Sequence, residues 1–438
     1  MPEKNQVKII GGGLAGTEAA IYLADRGVKV LLYDMKPKEF SPAHSSGNYA
    51  ELVCSNSLKS NDVYGNAAGL LKEELRTLGS AVIAAADASR VPAGNALAVN
   101  REEFSSILTE RVKTHPFIEC VCERVDEIDF DNYSIIASGP LTAGGLSEKI
   151  KEISGGELYF YDASAPVVSF ESIDMNHAFV ADRYGKGDGD HINCPMDKEQ
   201  YAAFIEALLG AKRAKLHEFE NLSVFEGCMP VEVMAARGKD TLRFGPLKPA
   251  GLTDPETGRW PYACLQLRKE DKAGNMYNLI GFQTNLLFPE QKRVFGMIPA
   301  LKNAEFMRYG VMHRNTFINS PRVLNRDYSL KKNGKTFFAG QITGVEGYVE
   351  SAASGLMAAI ACERKLKNKP CVELPSYSVM GALSLYITTP NENFQPMNAN
   401  FGILPGTDAI IKDKNLRKKA LAERSLDSIR RFRKEIEL

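Results

Sequence analysis

The residues whose types and spacing speak most directly of chemistry are a glycine turn, GGGLAG at Gly11 to Gly16, and an acid at Asp34. The turn follows an apolar run from Val7 to Ile10. It opens into a segment with Ala19, Ala20, Leu23 and Ala24 at helical spacing, stopped by Gly27. Gly11 permits a sharp turn, Gly13 lets the backbone approach a pyrophosphate, and Gly16 allows close helix–strand packing. Gly12, Leu14 and Ala15 complete a helix N-terminus whose N–H groups and dipole attract anions. Val28 to Tyr33 reads as a second apolar strand, which leaves Asp34 at its end to accept hydrogen bonds from ribose hydroxyls. A lone G-x-G-x-x-G is weak. Strand, turn, helix, strand and acid in register over about 30 residues predict a dinucleotide-binding βαβ unit.

A related pattern lies near the other end of the chain. Thr336 to Gly355, TFFAGQITGVEGYVESAASG, runs from an apolar strand through a glycine turn with Gly340, Gln341 and Gly347 into a helix of small residues. Between the two, ASGP at Ala137 to Pro140 ends another apolar strand. Three such segments in this order resemble two-segment flavoproteins of the glutathione-reductase type. That resemblance implies FAD, with the second helix N-terminus aimed at the cofactor. Tyr348, at the start of that helix, admits either flavin contact or ordinary packing.

The elements that must position these residues alternate along the first third of the chain. Helices are expected over Ala67–Leu78 and Glu102–Thr114, with strands over Ala96–Val99, Phe117–Cys122 and Tyr133–Ala137. Lys36 to Asn66 is rich in Gly, Ser, Pro and Asn and too long to be a mere connection; its composition predicts mobility. From about Ser164 the pattern changes. GKGDGD (Gly185–Asp190) reads as a loop and Met196–Leu209 as a helix. Pro261–Arg268, a DKAGN turn and Met276–Phe282 form a hairpin signature. Strand and helix alternate again from near Lys335, with a long helix from about Val349 to Arg364. The expected fold is α/β: a Rossmann-like FAD-binding domain of the glutathione-reductase type, residues 1–164 and 326–438, interrupted by an α+β domain at 165–325.

Composition narrows the class of protein. The 438 residues carry 54 Lys+Arg against 54 Asp+Glu, with 44% hydrophobic and 25% charged residues, which excludes a disordered tail, a coiled coil or a collagen-like chain. No run approaches the roughly 18 apolar residues of a membrane span. Charges at Glu3, Lys4 and Lys8 argue against a signal peptide, so the expectation is cytoplasmic. Neutral balance argues against a simple nucleic-acid coat but leaves room for local patches. Arg237, Lys239, Arg243 and Lys248 cluster around a GPLKP turn, and the helical run 412–438 holds ten basic against five acidic residues, a net +5. Either could contact phosphates or be a solvated face.

Eight cysteines, with no C-x-x-C pair, predict neither a disulfide framework nor a metal site. Cys120 and Cys122 share one face of a strand, and His191 with Cys194 lacks a second ligand pair; these, with Cys264, Cys362 and Cys371, read as structural. Cys54 differs, because it lies in a polar loop with Lys59 shortly after it. So does Cys228, in EGCMP, where Gly227 and Pro230 imply a turn.

The chain resembles, over nearly its whole length, the folate-dependent tRNA (uracil-5-)-methyltransferases of the FAD-containing TrmFO family. The motifs that carry this are GGGLAGTEAA, ELVCSNSLKS, NREEF, RYGKGDGDHINCPM, FEGCMPVEVMAARG, RFGPLKPAGL, RYGVMHRNTFI and AGQITGVEGYVESAASG. The last is also similar to the larger relative MnmG. Asp34 stands where the family would be expected to have Glu; both can bind ribose. The resemblance implies methylation of C5 of the T-loop uridine, position 54 of tRNA, with 5,10-methylenetetrahydrofolate as carbon donor, FAD as cofactor and NAD(P)H as reductant. The T-arm of tRNA, folate and NAD(P)H would be the partners, with no membrane and no obligate protein partner. C5 of uracil is a poor nucleophile. A thiolate adding to C6 activates it, and a base must then take the C5 proton, so two functional thiols are wanted. The resemblance points to Cys54 and Cys228 and leaves their division of labour open, with Cys228 favoured as nucleophile and Cys54 as flavin-side partner or proton acceptor. His313 and Arg314 admit a structural pair or a substrate contact. The alternative function is an FAD-dependent oxidoreductase acting on a small metabolite.

Overall fold

The computed structural model describes residues 5–437 except 157, 186–188, 215–228, 272, 393 and 408–409. Cys228, and the side chains of residues 158–162, His313 and Arg314, lie outside the described residues.

Five short strands form an all-parallel sheet. Gln6–Ile10 is central. Lys29–Asp34 and then Ile118–Cys122 lie to one side, Ser134–Ile136 and then Thr336–Phe338 to the other. The central strand and the two on the Ser134–Ile136 side are mostly apolar and buried, as strands covered on both faces must be, whereas Ile118–Cys122 is an edge strand with exposed residues. The strand order reverses between the central strand and Ser134–Ile136, so a crevice opens at the carboxyl ends on either side of that point. Helix Leu14–Asp25 begins directly on the glycine turn, ahead of the apolar spacing that starts at Ala19. It lies against helix Tyr348–Leu366 so closely that a Cβ on Gly355 would sit 2.2 Å from the Ala15 carbonyl oxygen. The small residues of both helices permit that approach, and the approach aligns both N-termini at one end of the sheet.

A second layer is built on a six-stranded antiparallel sheet, in the order Phe179–Val180, His191–Met196, Ala263–Lys269, Met276–Leu279, Val167–Ser169, Phe306–Arg308. The hairpin expected around DKAGN is its centre. Helices Lys198–Leu209, Val231–Ala236 and Phe288–Phe295 cover one face through Phe204, Phe282, Phe295 and Leu265. The opposite face carries polar side chains, among them the buried Asn193, Arg268 and Asn278. An antiparallel ribbon, Leu158–Ala163 with Met312–Phe317, joins this layer to the parallel sheet.

Helix Lys414–Glu435 does not stand off in solvent as a basic arm would. Leu421, Ala422, Ile429 and Phe432 are buried in the core of the parallel-sheet layer. Lys418 donates to the Gly65 carbonyl at 2.7 Å, and Arg424 lies over the Tyr377 ring at 4.4 Å.

Two glutamates fully inside this core serve as helix caps. Glu18 accepts from Ser80 Oγ at 2.8 Å and from the backbone N–H groups of Ala81 (3.1 Å) and Val82 (2.8 Å). Glu74 accepts from Val379 and Met380 N–H at 2.7 and 2.9 Å and from the Ser425 hydroxyl. Burial outweighs these bonds and pushes both carboxyls from 4.5 up to about 7. Between those values the folded chain keeps protons that the unfolded chain has released. Their stabilising contribution is therefore complete below pH 4.5 and lost as pH rises towards 7. A Glu18→Gln/Glu74→Gln variant is expected to show a flatter profile of melting temperature between pH 5 and pH 7 than the native chain. An unchanged slope would contradict the assignment. Buried Lys72, bonded to the Leu58 and Ser60 carbonyls at 2.7 Å each and lowered to about 7, acts in the window above.

Candidate active site

A cavity of about 420 Å³ opens at the carboxyl ends of the parallel strands, where the topology places a crevice. Gly11, Asp34, Glu123, Ala137 and Gly340, each at or just past the end of a different strand, all line it. Gly12, Gly13, Leu14, Ala15, Gln341 and Tyr348 line it as well. Gly11 has φ +105°, and a Cβ there would meet the Ala137 carbonyl oxygen at 2.4 Å, so the turn between these strands requires glycine. Gly16 and Gly347 do not face the cavity. A Cβ on Gly16 would come within 1.9 Å of the Gly11 carbonyl oxygen, and Gly347 precedes the first residue of helix Tyr348–Leu366.

The cavity is suited to an anion with a sugar attached. Helices beginning at Leu14, Gly144 and Tyr348 have no side-chain N-cap, and Leu14, Ala143 and Tyr348 are all in its wall. Their leading N–H groups and dipoles favour negative charge there. Asp34 Oδ2 accepts from Gly12 N–H at 2.9 Å and Oδ1 from Lys36 N–H at 2.8 Å. It thus ties the second strand to the glycine turn and keeps a lone pair on each oxygen. At Gly13 a Cβ would meet nothing within 4 Å, so no protein atom explains glycine at that position. A dinucleotide pyrophosphate does, and on this ground the residues fit FAD. Lys36, Ser138 and Ser351 also line the cavity, and sequence reasoning missed them; Ser138 lay within the ASGP segment.

Cys54 lies at the edge of this cavity, one residue after Val53 in its wall. The structure fixes the loop expected to be mobile. The Tyr348 hydroxyl oxygen accepts the backbone N–H of Cys54 at 2.7 Å and that of Ser55 at 3.1 Å. The half-buried thiol lies 3.8 Å from the Ala163 carbonyl oxygen, on the ribbon between the two layers. At the far end of the loop Lys59 pairs with buried Glu350 at 3.1 Å. Burial and the nearby Cys54 charge raise the Tyr348 phenol well above its usual range, so it remains a neutral hydroxyl. Tyr348 and Cys54, nearly 300 residues apart in sequence, thus form one unit. Cys194, Cys264 and Cys362 are fully buried, with thiols raised by burial. His191 is engaged by Asp182 at 2.5 Å.

Sheet order, glycine turn and cavity together define a doubly wound, Rossmann-like fold of the FAD-binding class. In a solved structure of Aquifex aeolicus GidA the same fold superposes with a TM-score of 0.72 at 15% identity, covering 98% of this chain and 73% of that one. The profile of the family described as glucose inhibited division protein A matches residues 6–370. Curated relatives named methylenetetrahydrofolate–tRNA-(uracil-5-)-methyltransferase TrmFO are far nearer in sequence. One from Acetivibrio thermocellus is 55% identical over 428 residues, 97% of this chain and 98% of its own. Another, from Geobacter sulfurreducens, is 56% identical over 422 residues, 96% and 97% of the two chains. The chain belongs to the TrmFO family, within the wider group described as glucose inhibited division protein A.

Proposed function

We propose that this chain transfers a one-carbon unit from methylenetetrahydrofolate to uracil C5 of tRNA, at the T-loop uridine, as a methylenetetrahydrofolate–tRNA-(uracil-5-)-methyltransferase. The observation that carries the reading is sequence identity above 50% over nearly the whole chain with relatives so named. The Cys54 loop, pinned by Tyr348 at the rim of a dinucleotide cavity, supports it. Gly11–Ala15, Asp34 and Gly340–Gln341 would hold FAD, which when bound would supply the electrons that turn a transferred methylene into methyl, with NAD(P)H as their source. The chain's own thiols do the rest: Cys228 adds to C6, and Cys54, on the flavin side, takes the proton from C5 before Cys228 departs. Exposed Arg237, Lys239 and Lys248 are candidates for phosphate contact; Arg243 is committed to the Tyr262 carbonyl at 2.9 Å and stacks on that ring. Among the described residues, no helix is long and apolar enough to cross a membrane, and a cytoplasmic setting accords with tRNA as substrate.

The test is a purified, yellow protein given unmodified tRNA transcript, labelled methylenetetrahydrofolate and NADPH. Label in the T-loop uridine supports the reading. NADPH oxidation without carbon transfer would overturn it in favour of a small-metabolite oxidoreductase. Tyr348→Phe is expected to retain flavin yet lose about 10- to 100-fold in methyl transfer. It strands two backbone N–H groups, worth about 1–3 kcal/mol of loop order. Single-turnover label transfer reads the loss directly.

A further inference from the structure

Two arginines hold the loop that carries Cys54, and a third joins them through Glu270. Arg101 Nη1 donates to the Leu52 carbonyl oxygen at 2.9 Å. Arg268 donates through Nη2 to Ser55 Oγ at 3.0 Å and through Nε to Asn56 Oδ1 at 3.1 Å. Guanidinium groups therefore grip the chain on both sides of Cys54. Asn56 returns a bond to the Lys269 carbonyl oxygen at 2.9 Å, tying the loop to the polar face of the antiparallel sheet. Glu270 joins the group: its Oε1 lies 2.6 Å from Arg101 Nε and 3.3 Å from Arg308 Nη2. The cluster thus sets three positive charges against one negative, and Arg101 and Glu270 are only 16% and 6% exposed at their side chains.

The cluster is also under-filled. Arg101 Nη2 and Arg308 Nε are buried without a hydrogen-bond acceptor among the described residues, as Glu270 Oε2 is without a donor. Unmet buried donors of this kind cost about 1–3 kcal/mol each, and such a cost is tolerated where a negative group is to be held. An ionised Cys54 would attract Arg308, and Arg101 and Arg268 are bonded to the residues on either side of the sulfur. Among the described residues, the other charged groups of the loop are already engaged. Lys59 and Glu350 neutralise each other at 3.1 Å, and Glu51 is held by the N–H groups of Ser45 and Ser46. Tyr348 is neutral.

We propose that Arg101, Arg268 and Arg308 are positioning residues that hold Cys54 as a thiolate at neutral pH, with Glu270 as the counter-charge that orients them. A low-dielectric site with excess positive charge is what favours the ionised sulfur. The proposal deepens the reading above, since a thiol that accepts a proton from C5 must first have lost its own.

The experiment follows alkylation of Cys54 by iodoacetamide against pH in the full-length, flavin-loaded chain, read by mass spectrometry of the Cys54 peptide. Exposed Cys120 and Cys371 serve as internal references. The native Cys54 midpoint is expected well below that of the two references. Arg308→Gln should raise it by about one pH unit, seen as a roughly tenfold slower alkylation below the midpoint, and Arg308→Lys should restore most of it. Glu270→Gln should move it the opposite way, because it removes the opposing charge. A merely structural disturbance would move both variants in the same direction, and that result would overturn the proposal. So would a native Cys54 midpoint matching the references, which needs no variant to fold. Because tRNA and folate are absent from this assay, such a failure would leave the methyl-transfer reading standing on its own test.

Discussion

Replacing Cys54 by alanine is expected to reduce methyl transfer by roughly a thousandfold while the protein stays yellow. A positioned proton acceptor contributes about 10²–10⁴ to rate. The thiol is half-buried beside the cavity, its backbone N–H is held by Tyr348, and its neighbours Ser55 and Asn56 are held by Arg268. None of those bonds uses the sulfur, whose contact to the Ala163 carbonyl oxygen is a long one at 3.8 Å, so Cys54→Ala keeps the anchors of the loop. Cys54→Ser separates chemistry from shape: a hydroxyl matches the size but does not ionise near neutral pH, so this variant should be nearly as inactive. Labelled methylene transfer to tRNA, with the flavin absorption recorded on the same samples, gives both readouts. Near-full activity in either variant would remove Cys54 from the reaction.

What was legible in the sequence was what local pattern encodes. The glycine turn, its flanking strands and Asp34 lie within 35 residues, and the Thr336–Gly355 segment is equally compact, so spacing alone placed them at one end of a parallel sheet. The DKAGN hairpin was legible for the same reason. The union of Cys54 with Tyr348 was not, since periodicity does not say which loop meets which helix tip. The arginines were further from view. Arg101 stood in NREEF, Arg268 in an alternating strand and Arg308 in RYGVM, and only the antiparallel sheet brings Arg268 against the Cys54 loop and Arg308 to Glu270. The polar Lys36–Asn66 composition suggested mobility because composition does not count partners. Here Tyr348, Arg101 and Arg268 supply them. In the C-terminal helix the charges are conspicuous, and they hide the apolar face that Leu421, Ala422, Ile429 and Phe432 bury.

Two glycines of the same turn should answer substitution in opposite ways, and the contrast tests the cofactor site. At Gly16 the obstruction is protein: a Cβ would lie 1.9 Å from the Gly11 carbonyl oxygen, a backbone atom that cannot yield without opening the turn. Gly16→Ala is therefore expected to destabilise the folded chain by several kcal/mol, with or without flavin. At Gly13 the backbone has φ −73° and ψ −170°, open to any residue, and a Cβ would meet no protein atom within 4 Å. Gly13→Val should thus leave the melting temperature of flavin-free protein almost unchanged. Its side chain would instead occupy the approach to the uncapped N-terminus of helix Leu14–Asp25, where a pyrophosphate is to sit. Loss of that contact, and of the N–H bonds it makes, should weaken flavin binding by at least about a hundredfold, since each 1.4 kcal/mol is tenfold. Thermal melting of the flavin-free variants and titration with FAD separate the two effects. Gly13→Val binding FAD as the native chain does would mean that the pyrophosphate lies elsewhere in the cavity, against the Gly144 or Tyr348 helix, and the dinucleotide reading of the turn would fail.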